Sequence, residues 1–286
     1  MRPGRSCPRR SNRTPDSPAG GAPDPVWERT RLNGIIEGRS TSIAETLDQN
    51  GRGLSQGSPS PETVTDATAA VYFSIGGTLR FLSHAETLRV FQRACARAEV
   101  PVKFTEGFNP HPKLSLPLPR PVGVESGDEL LVLRLFDEDG IPLGPADSPE
   151  QKAWLDEMKP SLAGELPDSI RVDSVVLAKS NASFVAESAD YEFPLRPDVD
   201  RREIIDGLLA RESVVVERLA PKRRERRIDV RGFLKSLSVK DDLIVVTCAI
   251  TAGGSIRVDE ILELLDLTAE DLAGPVRRTN VRWTSR

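Results

Sequence analysis

The sequence predicts an α+β protein: two ferredoxin-like α/β sandwich halves after a disordered N-terminal tail. Three observations carry this reading. Residues 1–67 are rich in Arg, Pro, Gly, Ser, Thr and Asp and have no periodic apolar pattern. Residues 68–137 read strand, helix, strand, edge strand, strand. A second αβ series resumes over 170–286, after a polar stretch at 138–169 that reads as a linker.

The elements follow in order. AAVYFSI, from Ala69, is β-branched and aromatic and reads as a strand. GGT is a turn, and LRFL continues extended. Ser83 opens a helix, and Ser83 with Glu86 makes the S-x-x-E pattern of a capping box. Leu88, Phe91, Cys95 and Ala98 then recur at helical spacing as the buried face. Arg89, Arg93 and Arg97 form an i, i+4 row on a solvated face. Pro101 helps to stop the helix, and VKFTE is a short strand. Gly107 marks a place of positive φ or close backbone approach. Leu114, Leu116 and Leu118 alternate with Ser115, Pro117 and Pro119, which is strand periodicity. Pro117, Pro119 and Pro121 strip donors from one edge only, so this is an edge strand. ELLVLRLFD is a stronger strand. In the second half IRVDSVVLA, ASFVAESADYEFPL, ESVVVERLA and DDLIVVTCAIT read as strands, and Asp200–Leu209 and VDEILELLDL as helices.

Composition excludes several classes. The chain is 286 residues long with a net charge of −4, which argues against nucleic-acid binding over the whole surface but leaves room for a local basic patch. The longest apolar runs, such as Leu243–Ile250, are too short to span a bilayer, and no apolar signal segment opens the chain. Cys7, Cys95 and Cys248 are three and widely spaced, which fits a reducing cytoplasm without a disulfide framework. No CxxC pair, GxxxxGK[ST], GxGxxG or GxSxG occurs, so no cofactor is expected, and nucleotide hydrolysis and α/β-hydrolase chemistry are poor readings.

The candidate site starts from the chain's two histidines, His84 and His111. They converge as a general acid and base in RNA cleavage, or on one metal with Glu86 or Glu106, or else serve as a helix-start residue and a loop brace. Lys113, Arg80 and Asn109 offer donors to a phosphate; the competing reading of Lys113 is a solvated edge-strand lysine. Lys222, Arg223, Arg224, Arg226 and Arg227 make the densest positive charge, read either as RNA-backbone contacts or as an exposed connector. Asp229 with Arg231 reads as a structural ion pair.

Three stretches together are distinctive: LRFLSHAETLRVFQRA at 79–94, VPVKFTEGFNPHPKLSL with PVGVESGDEL at 100–130, and RRIDVRGFLKSLSV at 226–239 with GGSIRVDEILELL and a terminal RRTNVRW. They resemble the radical SAM-linked protein family, a domain of unknown function fused to or encoded beside radical SAM proteins. The resemblance implies a radical SAM protein as partner and a role in RNA or ribosome-related metabolism. It also implies that this chain does not itself cleave S-adenosylmethionine, because the three-cysteine cluster motif is missing. The expected function is therefore a non-catalytic accessory module that binds RNA or its partner through the pocket of His84, Asn109, His111, Lys113 and Arg80. The alternatives are a metal-independent ribonuclease using the paired histidines and a pure protein–protein adaptor.

Overall fold

The apolar run Ala67–Ile75 forms β1, whose side chains split between two faces. Val71, Phe73 and Ile75 enter the main core of the first half, while Ala70 and Tyr72 point to the other face of the sheet. This computed structural model describes residues 67–136, 141–142, 148–178, 181–220 and 224–285. The tail expected at 1–67 lies outside them except for Ala67, which already belongs to β1.

The first half continues through helix α1 (His84–Arg97), β2 (Leu114–Ser115), β3 (Glu125–Leu135), helix α2 (Pro149–Gly164) and β4 (Ile170–Ala178). The second half holds β5 (Phe184–Pro194), α3 (Arg202–Leu209), β6 (Val215–Ala220), β7 (Arg224–Asp229), β8 (Leu234–Lys240), β9 (Leu243–Ala249), α4 (Val258–Leu264) and β10 (Arg277–Ser285). Each half is a βαββαβ unit. In the first half β4, β1 and β3 lie side by side, with β2 on the far edge of β3; in the second the order is β10, β5, β9, β8. Every pairing within a half is antiparallel. The two ferredoxin-like halves thus repeat one strand order, and the hairpin β6–β7 is an insertion before the second edge strand.

The halves are joined into one eight-stranded sheet rather than two separate ones. β3 and β10 run parallel and pair only at Arg277 with Glu125 and Arg278 with Ser126. β2 takes the same edge of β3 further along, at Leu133 and Val132. The proline alternation explains this division: Pro117, Pro119 and Pro121 have no N–H with which to extend the ladder, so β2 stops after Ser115 and leaves the rest of the edge to β10.

Other expectations need correction. The stretch 138–169 is not a linker, because α2 fills most of its described part. Trp154, Met158 and Leu162 recur four residues apart and pack onto the first core. Charged neighbours and Pro160 within the helix mask that stripe in the sequence. Gly77–Phe81 is a 3-10 turn, not an extended segment. Of the basic run, Arg224, Arg226 and Arg227 lie in a strand, β7, rather than a connector, and Lys222 and Arg223 lie outside the described residues.

Helix α1 starts as the sequence predicts. The Ser83 hydroxyl accepts from Glu86 N–H at 3.3 Å, and Ser83 N–H donates to Glu86 Oε2 at 2.8 Å. The Ser83 hydroxyl, donating to Glu86 Oε2 at 2.7 Å, and then the Ser83 N–H hold the Glu86 carboxyl below its ordinary range. Phe91 and Cys95 are buried, with the Phe91 ring edge-on to Phe73 at 4.6 Å, while Arg89, Arg93 and Arg97 are exposed. Ser83→Ala is expected to cost about 1 kcal/mol. Thermal melting checks it, and a midpoint equal to that of the parent counts against the cap.

Candidate functional site

The FNPHP stretch forms the tip of a hairpin-like loop. Phe104 bridges to Pro112, Thr105 N–H donates to His111 O at 2.8 Å, and His111 N–H donates to Thr105 Oγ1 at 2.9 Å. Gly107 has φ of 126°, and a Cβ there would meet nothing within 4 Å. Glycine is therefore needed for its backbone conformation and not for a close approach. Asn109 and His111 are exposed, and Phe108 is wholly so. Lys113 is half-buried; its N–H donates to Lys103 O at 2.6 Å and its carbonyl accepts from Arg134 N–H at 2.9 Å. Arg80 lies in the 3-10 turn, donates to Gly77 O at 2.8 Å, sits 4.4 Å from the Phe81 ring centre and is 4.0 Å from Glu125.

These residues do not form one pocket. His84 lines a small cavity of about 10 Å³ with Phe73, Leu116, Arg120 and Glu129, and its Nδ1 is buried with no partner among the described residues. That volume suits roughly one water molecule. His111, Asn109 and Lys113 line neither this cavity nor the larger cleft between the halves. The pairing of His84 with His111 in one cavity is thus not what the fold builds. A proline-set loop does present its side chains, but it presents them on an exposed hairpin.

The structure gathers a different set. Arg278, fully buried on β10, is ion-paired with Glu129 of β3 and hydrogen-bonded to Tyr191 of β5. Its guanidinium also donates to Pro119 O at 3.4 Å. Burial opposes the Arg278 charge, but Glu129 and Tyr191 outweigh it and hold its pKa above the ordinary arginine value. Burial pushes the Tyr191 phenol up, so its hydroxyl stays protonated. Arg120 joins this group from the proline segment. Its guanidinium donates to Arg80 O and Val124 O, each at 2.6 Å, and to Leu82 O at 3.1 Å. Beside the pair, Asp128 Oδ2 accepts from Val281 N–H at 2.8 Å, a further tie between β3 and β10. The sequence did carry a signal here: acids at the head of an apolar strand, GDELLVL, and adjacent arginines at the head of another, RRTNVRW.

Arg120 also lines the larger cleft, of about 370 Å³. One wall is the proline segment, with Pro119 and Pro121; the floor includes Tyr191 and Cys248; the far wall runs from Ser255 to Asp259. Burial pushes the Cys248 thiol up to about 12, so it is not a thiolate nucleophile near neutrality. Arg257 and Asp259 are exposed at the cleft.

The inserted hairpin stands against the far wall. Arg218 of β6 donates to Ser255 O at 2.7 Å and holds Glu260 with two bonds, at 2.5 and 2.7 Å. Arg226 lies opposite Arg218 in the β6–β7 register and so shares its side of the hairpin. Arg227 shares the other side with its partner Glu217, 3.8 Å away. Arg224 lies in β7, and Arg223 is outside the described residues. Asp229 takes the role of a backbone brace: its carboxylate accepts from Val214 N–H at 2.9 Å and Arg231 N–H at 3.0 Å. The Arg231 guanidinium turns to carbonyls at the end of α3, including Leu209 O at 3.1 Å.

No curated protein matches the chain. Among solved structures, one titled "Crystal Structure of a Cbf5-Nop10-Gar1 Complex" is similar at 13% identity and a TM-score of 0.36, over 74% of this chain and 48% of that one. The chain therefore spans about half the length of the solved chain it matches, and a likeness of that size carries no argument. A family model described as "Uncharacterized protein conserved in bacteria (DUF2344)" matches residues 69–259, from the first strand into the last helix. By that match, which covers most of both βαββαβ halves, the chain belongs to the family of uncharacterized proteins conserved in bacteria, DUF2344.

Proposed function

We propose that this protein is a cytoplasmic accessory module that works beside a radical SAM protein and binds RNA at the cleft between its halves. The observation that carries the reading is the placing of cations around that cleft. Arg257 stands at the cleft, and Arg226 extends from the side of the inserted hairpin that Arg218, neutralised by Glu260, ties to the far wall. A local patch of this kind binds phosphates even on a chain of net charge −4, because counterion release depends on where charge sits. Cys95 and Cys248 are free and buried, which suits a reducing compartment.

Fluorescence anisotropy of single-stranded RNA across a salt series tests the reading. The logarithm of the binding constant should fall linearly with that of salt, and Arg226→Ala should reduce the slope by about 0.7. Arg227→Ala should do less, because Arg227 already faces Glu217 on the other side of the hairpin. A flat response to salt would remove the RNA reading.

A second reading, docking of the radical SAM protein itself, is favoured by the exposed loop tip. Phe108 and Phe104 are exposed apolar side chains on an ordered turn, which suits a protein contact. Phe108→Asp should then abolish association with the purified partner while RNA binding persists. The paired-histidine ribonuclease reading has no shared cavity to support it, since His84 is half-buried at a small cavity that His111, exposed on its loop, does not line.

A further inference from the structure

We propose that the cleft between the halves seats a single unpaired nucleotide, with its base between the proline segment and Tyr191 and its phosphate at the arginine rim. The inference rests on the RNA reading for the source of the nucleotide, and on the cleft alone for its chemistry.

Size comes first. Sites for small organic ligands run from roughly 300 to 1,000 Å³. A cleft of about 370 Å³ is at the small end, enough for one nucleotide and not for a length of strand. The lining comes second. Pro119 and Pro121 give flat, rigid apolar surface on one side, Ile250 adds a branched side chain, and Tyr191 offers an aromatic ring at the floor. Such surfaces accept any base, since every base has a π-face. Charge comes third. Arg257 is an exposed cation within the lining, and Arg226 lies on the side of the hairpin that is tied to Ser255 by Arg218. The Arg120 guanidinium stands behind the proline wall. The buried pair of Arg278 and Glu129 cancels within itself, as does the pair of Arg218 and Glu260, so Arg257, Arg226 and Arg120 outnumber Asp259 around the cleft. Asp259, the one acid in the lining, supplies an acceptor for a base N–H or a ribose hydroxyl. An apolar slot with a cationic rim and one acceptor is complementary to a nucleotide. A bare anion leaves the apolar walls unused, and a neutral apolar ligand leaves the arginines unused.

The test uses the whole chain, a short single-stranded RNA carrying 2-aminopurine, the four nucleoside 5′-monophosphates and ribose 5-phosphate. At least one mononucleotide should bind and displace the labelled RNA. Ribose 5-phosphate, which lacks the base, should bind roughly tenfold more weakly or worse. Ile250→Trp fills the slot and removes no charge; it should weaken both mononucleotide and RNA by roughly tenfold or more. Ser255→Trp does the same from the far wall, and the variant whose thermal midpoint equals that of the parent is the one scored. If RNA binds with its normal salt slope but neither filling variant weakens it, the cleft inference falls and the RNA reading stands. If mononucleotides bind and the filling variants abolish this while RNA does not bind, the cleft inference stands for free nucleotides and the RNA reading falls. If neither ligand binds, both fall.

Discussion

Replacing Arg278 with Met is expected to lower stability by roughly 3–5 kcal/mol, because it leaves the Glu129 carboxylate buried without its partner. For a folded region of this size that is a drop in the melting midpoint of about 10 °C. Arg278 has no exposed surface, and Glu129 retains 3%. Water cannot replace the lost guanidinium at either place. Tyr191 and Pro119 O lose their donor in the same step. The position magnifies the loss. β3 and β10 share only two paired positions, so the ion pair is among the few contacts that fasten one half to the other. The double variant Arg278→Met with Glu129→Leu should recover most of the stability, since an apolar pair of similar volume has no desolvation cost. A single variant that melts within about 2 °C of the parent would show that the pair holds nothing together.

That pair also marks the limit of what the sequence discloses. Strands rich in β-branched or aromatic residues, such as β1, β5 and β9, are legible because local preference and burial agree there. The cap at Ser83 is legible for the same reason, since its partners lie three residues apart. The helix α2 is not, because an apolar stripe of Trp154, Met158 and Leu162 is diluted by charge and crossed by Pro160. The candidate site divides in the same way. Positive φ at Gly107 follows from one residue and its neighbours. The convergence of Glu129 and Arg278 spans 149 positions of sequence, and no local pattern reports it. The two histidines stand out in the sequence by their rarity and by the prolines around His111, but rarity says nothing about where a side chain points. The prolines at 117, 119 and 121 do lack donors, but they follow β2 instead of lying within an edge strand, and β2 meets β3 through Lys113 and not through the leucine side. Their further effect, making room for β10 and walling a cleft, depends on a strand more than 150 residues later.

Arg120→Met is expected to cost about 3 kcal/mol and to weaken ligand binding beyond that loss. The side chain is nearly buried, and its fork is spent on backbone carbonyls rather than on a carboxylate. Leu82 O and Val124 O lose this donor with it, while Arg80 O keeps Gly123 N–H. Each buried carbonyl left without a donor costs about 1–3 kcal/mol, and partial relaxation of the loop keeps the total near the lower end of their sum. Burial pulls the Arg120 pKa down, with Glu129 acting in the other direction, so the charge itself is a strained one that these carbonyls support. Lysine should rescue little, because a single ammonium cannot span carbonyls that a planar fork reaches together. The functional consequence follows from geometry. Arg120 ties the 3-10 turn at Gly77–Phe81 to the segment ending at Val124, and that segment is one wall of the cleft. Without it the wall loosens, and bound ligand must then be paid for by reordering it. Hydrogen exchange at Gly123 N–H, which donates to Arg80 O at 2.9 Å, should speed up well before the protein as a whole unfolds. Unchanged exchange at that amide, with a melting midpoint near that of the parent, would mean that the proline wall stands without its arginine.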